Sequence, residues 1–164
     1  MFLDKDKLHQ LLSNEWKFIT VHATATPPDQ DHDVASIRKM HLRRGFNDIG
    51  YHVLIKRDGT IELGRPFNRW GAHVKGHNRN NLGIVLVGGI DSNGKAEDNF
   101  TPEQYDSLRE VLIVLVGVLG IKDGNIKGHR DWSPDLNGDG KITPNEFIKM
   151  CPCFDVKTFL DNLA

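Results

Sequence analysis

Two histidines and a cysteine, far apart in the chain, are its residues best suited to chemistry. His22 lies near the end of the stretch KFITVHAT, His129 lies in KGHRDW and Cys151 in KMCPCFD. Two imidazoles and one thiolate make a three-ligand set for zinc, and three protein ligands leave a fourth tetrahedral position for water. That open position separates a hydrolytic site from a structural one, because the bound water ionises near neutral pH. One thiolate leaves about +1 of formal charge, enough to favour hydroxide and polarise a carbonyl. Spacing alone does not select this set, since eight histidines allow many pairings. On position alone, a half-exposed strand histidine is the plainer reading of His22.

Between His129 and Cys151 lies a different kind of ligand run. DLNGDGKITPNE, residues 135–146, matches D-x-N-x-D-G-x5-E in full. Asp135, Asn137 and Asp139 take the first, third and fifth places, Gly140 the sharp turn, and Glu146 the twelfth. Lys141 offers its backbone carbonyl, and Thr143 sits at the ninth place, which often acts through water. Carboxylates and carbonyl oxygens suit Ca2+ rather than zinc. TPNE is also a capping box with Pro144 at the first helical position, so Thr143 and Glu146 can simply start a helix, PNEFIKM. That reading leaves Asp135, Asn137, Asp139 and Gly140 unexplained. A regular helix cannot enter the loop through Gly124, Gly128 and Pro134, so this EF-hand-like loop is not a complete hand.

These groups need a frame. The stretch LDKDKLHQLL suggests a short leading helix, and KFITVHAT alternates as a strand, with Thr20 and His22 on one face and Ile19 and Val21 on the other. DVASIRKMHLRRG reads as a helix starting near Asp31 or Asp33 and ending at Gly45. YHVLIKRDGTIELGR reads as a hairpin turned at Asp58-Gly59. NLGIVLVGG is a near-continuous apolar run, hence a central strand buried on both sides. TPEQYDSLREVLIVLVGVLG opens with Thr101 as cap and Pro102 at the first helical position, and ends at Gly120. DVKTFLDNL predicts a closing helix. Strands alternating with helices give an α/β (α+β) fold, a central mixed β-sheet flanked by helices. At 164 residues a single domain, 1–164, is expected, with the loop 135–146 inserted in it.

Charge and composition narrow the classes. Lys plus Arg total 21 against 22 Asp plus Glu, so no basic excess argues for nucleic acid. VLIVLVGVLG is too short to span a bilayer, so membrane insertion is not expected. MFLDKDKLHQLL carries Asp4 and Asp6 and does not read as a secretory signal, which implies synthesis in a cytoplasm. Cys151 and Cys153, two positions apart, disfavour a mutual disulfide.

Long segments carry a resemblance. FITVHATAT, GFNDIGYHVLIKRDGTIELGRP, GAHVKGHNRNNLGIVLVGGID, NFTPEQYDSLREVL, GHRDWSP and KMCPCFD together resemble the zinc-dependent N-acetylmuramoyl-L-alanine amidases of the phage T7 lysozyme type, which are related to the peptidoglycan recognition proteins. The likeness runs in order from about Lys17 to Leu160. It implies cleavage of the amide between the lactyl group of muramic acid and L-alanine in bacterial peptidoglycan. It places the zinc ligands on His22, His129 and Cys151, the catalytic lysine on Lys149 and the family tyrosine on Tyr51. It also implies a peptide groove at His73 and its neighbours, with Trp70, Asn78 and Asn81 in the same polar segment. Without it, Lys149 reads as a solvated lysine, Tyr51 as a packed strand aromatic and Trp70 as core cover. Cys153 reads as a small buried residue, and as a stand-in ligand if Cys151 is lost. In the family the link from second histidine to Lys-x-Cys is usually short, whereas 20 positions separate His129 from Lys149 here. That insertion costs loop-closure entropy, which Ca2+ would offset by ordering the loop.

The expected protein is a phage-type endolysin amidase, monomeric, with one catalytic Zn2+ and one structural or regulatory Ca2+, acting on the cell wall once the membrane opens. Its competitors are a non-catalytic peptidoglycan-binding module, a metal-free cysteine peptidase using Cys151 and His129, and a small calcium sensor.

Overall fold

The alternation in KFITVHAT does form a strand, β1 (Phe18–Ala23), buried from its second residue onward. The computed structural model describes residues 2–163. The other strands are β2 (Val53–Ile55), β3 (Ile61–Leu63), β4 (Asn81–Leu86) and β5 (Ile126–Gly128). The helices are α1 (Lys5–Leu12), α2 (Val34–Arg43), α3 (Pro102–Leu119) and α4 (Val156–Asp161). The sheet order is β3-β2-β4-β1-β5. β4 runs parallel to both β1 and β2, β5 runs parallel to β1, and only the β2–β3 hairpin is antiparallel. The sheet is therefore mixed, with β4 at its centre and wholly buried, as its unbroken apolar run requires.

The two faces of the sheet are filled differently. Ile19, Val21, Val53, Ile55, Leu82, Ile84 and Leu86 point to one side. There they meet Leu11 of α1 and Leu108, Val111, Leu112 and Leu115 of α3, spaced along one helical stripe. Each such side chain contributes about 1.5–3 kcal/mol when fully buried. α3 is held at its start by a capping box between Thr101 and Gln104. Gln104 also donates to the carbonyls of Ile55 and Val87, tying the helix to the strand ends. On the opposite side Val34 and Ile37 of α2 pack on Leu54 and Val85, with Ile49 and Val87. α2 thus lies over β2 and β4, while Thr20 and His22 project from β1 on that same side.

Two expectations need correcting. PNEFIKM is not a helix: only Pro144–Glu146 makes a 3-10 turn, and Phe147 is already extended. The cause is local competition for backbone donors. Glu146 does cap the turn by accepting from the Thr143 amide, but the Ile148 amide donates to Ser133 Oγ instead of to the Pro144 carbonyl, so the turn does not propagate. The second is β5, which the sequence reading left unassigned; three residues with one large apolar side chain carry no periodic signal.

Candidate active site

β1 delivers His22 one residue before its end, opposite Val85 of β4. Next to β1, β5 ends at Gly128, and His129 opens a 3-10 turn, His129–Trp132. A Cβ on Gly128 would lie 2.8 Å from Pro152 Cδ, so glycine lets the segment carrying Cys151 pack directly on β5. Arg130 N–H donates to Cys151 O at 2.8 Å and closes that contact. His22 Nδ1 lies 3.1 Å from His129 Nδ1 and 3.9 Å from Cys151 Sγ, and one ligand atom from each residue falls within 4.8 Å of the others. Tetrahedral zinc would set its nitrogens about 3.3 Å apart and nitrogen and sulfur about 3.6 Å apart, so the spacing fits that ion.

The electrostatics of the cluster fit a cation too. Burial holds the His22 imidazole well below its ordinary value, with His73 and His129 adding to it. His129 is lowered to about 4 by burial and then by Lys149. Burial pushes the Cys151 thiol up to about 12, against the pull of the Ala23 amide, which donates to Sγ at 3.0 Å. With protein groups alone the site therefore holds neutral imidazoles and a thiol. A divalent ion would supply the charge that makes a thiolate stable there. A Cys–His nucleophile needs the reverse, a thiol driven down by its partner.

A cavity of about 670 Å³ opens beside this cluster, lined among others by His129, Tyr51, Lys149, His73 and Asn78. Residues 12–146 match the family described as N-acetylmuramoyl-L-alanine amidase. The chain belongs to that amidase family. It is 44% identical over 140 residues to the endolysin of Enterobacteria phage T3, covering 85% of this chain and 82% of the relative. It is 42% identical over 139 residues to the endolysin of Escherichia phage T7, with the same shares covered. The fold superposes on N-acetylmuramoyl-L-alanine amidase LysC from Clostridium intestinale with a TM-score of 0.71 and 27% identity, covering 92% of this chain and 87% of that one.

The other singled-out residues of this amidase fall in several places. Tyr51 sits with its ring 5.0 Å from the His22 ring. Burial raises its phenol, so it remains a neutral hydroxyl. Lys149 is exposed at the cavity wall. Asn78 shapes the wall through its Oδ1, which accepts the His73 and Val74 amides. His73 is buried behind the cluster, its Nδ1 2.8 Å from His22 Nε2. Asn81 is fully buried in β4 and does not face the groove; its side chain bonds Thr20 Oγ1 and the His77 carbonyl. Trp70 lies outside the cavity lining, 45% exposed, beneath the Arg79 guanidinium. Cys153 is not among the clustered ligands; its thiol donates to Gly89 O. The sequence reading missed His41, Arg44, His77 and Trp132 as cavity walls. None carries a local signal; His77 and Trp132 meet only because β4 and β5 flank β1, where their rings stack at 4.6 Å.

The acidic loop folds on itself. Asp135 accepts from the Gly138 and Gly140 amides, Asn137 from Asp139 N, and Asp139 from Lys141 N. Carboxylate oxygens of Asp135, Asp139 and Glu146 come within 4.8 Å of one another. Hydrogen bonds from Thr143 and Leu136 hold the Glu146 carboxyl below its ordinary range.

Proposed function

We propose that this chain is a phage-type endolysin whose amidase activity uses one zinc ion held by His22, His129 and Cys151. The amidase activity itself follows from family membership and from endolysin relatives matched over most of both chains. The carrying observation for the metal is the convergence of three ligand atoms from three separate segments beside an open cavity. The bond cut is the amide between the muramoyl lactyl group and L-alanine of peptidoglycan. Zinc bound there would bring a water's pKa towards 7 and polarise the scissile carbonyl.

The chain's own residues do the rest. Tyr51, neutral and beside His22, donates or relays a hydrogen bond at the reacting oxygen rather than acting as a base. Lys149 brings a positive charge to the cavity wall, where the oxyanion of amide attack develops. His73 and Asn78 support the floor of the groove that receives the stem peptide. No helix among the described residues is long and apolar enough to cross a membrane.

Asp135, Asn137, Asp139, the Lys141 carbonyl and Glu146 are proposed to hold one calcium ion, as a brace on the segment leading to Lys149 and Cys151. The gathered carboxylates support it. The segment is also tied without them, through Arg130 to Cys151 and Ile148 to Ser133, so calcium tunes the site rather than building it.

The test is mass spectrometry of digested, purified peptidoglycan, with metal content measured on the same enzyme. Intact glycan strands, freed stem peptides beginning with L-alanine and one zinc per chain are expected. Cut glycan bonds, or full activity after zinc-selective chelation, defeat the reading. Wall binding without release of new amines would instead mean a binding module.

A further inference from the structure

We propose that His73 is a positioning residue for the metal, passing a fixed hydrogen-bond polarity from the Asn81 carbonyl to His22. This rests on the zinc reading above. A backbone carbonyl only accepts, so His73 Nε2, 2.9 Å from Asn81 O, must carry its ring proton. A neutral imidazole has one such proton, which leaves His73 Nδ1 as an acceptor. His22 Nε2 lies 2.8 Å from that atom and must therefore donate to it. His22 Nδ1 is then left with a free lone pair, and Nδ1 is the atom that faces His129 and Cys151. Both rings are buried, so neither polarity is blurred by water. The tautomer that can bind a metal is thus chosen two bonds away, at a strand carbonyl.

The fold gives this relay its own room. A Cβ on Gly83 would sit 2.8 Å from His73 Cδ2, and one on Gly71 closer still. The two glycines let the His73 ring stand at 88° to the His22 ring between strand and loop. Asn81 also ties down the turn that carries His129. Its Oδ1 accepts from Thr20 Oγ1 at 2.8 Å, and Thr20 Oγ1 accepts from Trp132 Nε1 at 2.9 Å, in the turn that begins at His129. One buried residue of β4 therefore anchors His22 through its carbonyl and the turn that carries His129 through its side chain.

The experiment compares the zinc enzyme with His73→Phe and His73→Gln, reading the zinc dissociation constant by competition with a chromophoric chelator. Nitrogen-15 NMR of the imidazoles in zinc-stripped wild-type enzyme reads the tautomers directly. His22 and His73 protonated on Nε2 are expected, with zinc binding weakened about 10- to 100-fold in His73→Phe, the usual cost of losing an outer-shell partner. His73→Gln, whose amide both accepts and donates, should recover most of that loss. Zinc affinity in His73→Phe within twofold of wild type, or His22 protonated on Nδ1, overturns the relay while leaving the zinc site standing. Wild-type enzyme that takes up no zinc at His22 overturns both. If His73→Phe does not fold, the wild-type tautomers decide alone.

Discussion

His22 and Cys151 are 129 positions apart and meet only because β1 and β5 pair and Arg130 fastens to Cys151, whereas Asp135, Asp139 and Glu146 come from one loop of twelve residues. The first cluster is soft, largely buried and positioned by the sheet. The second is hard, mostly exposed and shaped by its own turns. The contrast separates two ways of building a metal-type site. Ligands set on a sheet inherit its rigidity and its neighbours, here His73 and the Ala23 amide. Ligands on a loop depend on hydrogen bonds that water competes for. Perturbing the first should cost activity outright, and perturbing the second should cost stability by degrees.

The largest expected effect is on the buried cluster. Cys151→Ser swaps a soft ligand for a weak hard one. Zinc content measured by mass spectrometry should fall, and peptidoglycan hydrolysis with it, by about a thousandfold or more, since the ion supplies several kcal/mol. Cys153 is engaged with Gly89 O and should not rescue the variant. Unchanged hydrolysis would remove Cys151 from the site. Next comes Lys149→Met, which keeps the stem and deletes the charge. The rate should drop about 10²- to 10³-fold, the scale of losing one oxyanion-stabilising group, while zinc content stays at one per chain. A drop in zinc content instead would make Lys149 a brace for Cys151, not a participant.

Acid probes the sheet that carries the first cluster, through His52. His52 is fully buried, donating to Arg69 O and accepting from Gly83 N, and burial lowers it to about 4. Its unfolded value is about 6.5, so the unfolded chain takes up this proton first. The stability it contributes is complete above pH 6.5 and is lost as pH falls from 6.5 through 4. By pH 5 the loss is roughly 2 kcal/mol. Urea unfolding of wild type and His52→Gln, with zinc saturating, should show a flatter pH dependence for the variant between pH 7 and 5. Equal slopes would assign the acid sensitivity elsewhere.

How much of this was legible in the sequence divides along the same line. β1, α2, α3 and the hairpin announce themselves through alternation, caps and the Asp58-Gly59 turn, because those signals are local. The loop's ligand pattern is local as well, and its carboxylates do gather. Three ligands spread over most of the chain have no mutual signal, and only the likeness of long segments to a known family picked them out. The same likeness put His73 and Asn81 beside the substrate groove; the structure keeps His73 at the cavity lining, with its ring bonded to His22, and buries Asn81 in β4. A side chain's distance from an ion depends on strand register and on glycines such as Gly83, which no pattern of residue types encodes. PNEFIKM was misread for the complementary reason. Its helical capping signal is genuine, but the Ile148 amide, which a helix would turn to the Pro144 carbonyl, goes to Ser133 Oγ instead.

The smallest effect belongs to the loop. An ion that binds only the folded state stabilises by mass action, about 2.7 kcal/mol at a hundredfold excess over its dissociation constant. In a domain of this size that moves Tm by only several degrees. Both ends of the segment are already fastened, by Arg130 to Cys151 and by Ile148 to Ser133, so the cavity wall should keep its shape without calcium. Asp139→Ala should therefore abolish the calcium-dependent rise in Tm and change the rate at saturating zinc by less than about threefold, since no new transition-state contact is lost. Scanning calorimetry and hydrolysis rates in chelator-washed and calcium-supplemented buffer read both quantities. A calcium response equal in the variant and the wild type would remove the loop as a cation site. A hundredfold rate loss in Asp139→Ala with zinc still bound would show instead that the loop governs Lys149 as strictly as the sheet governs His22.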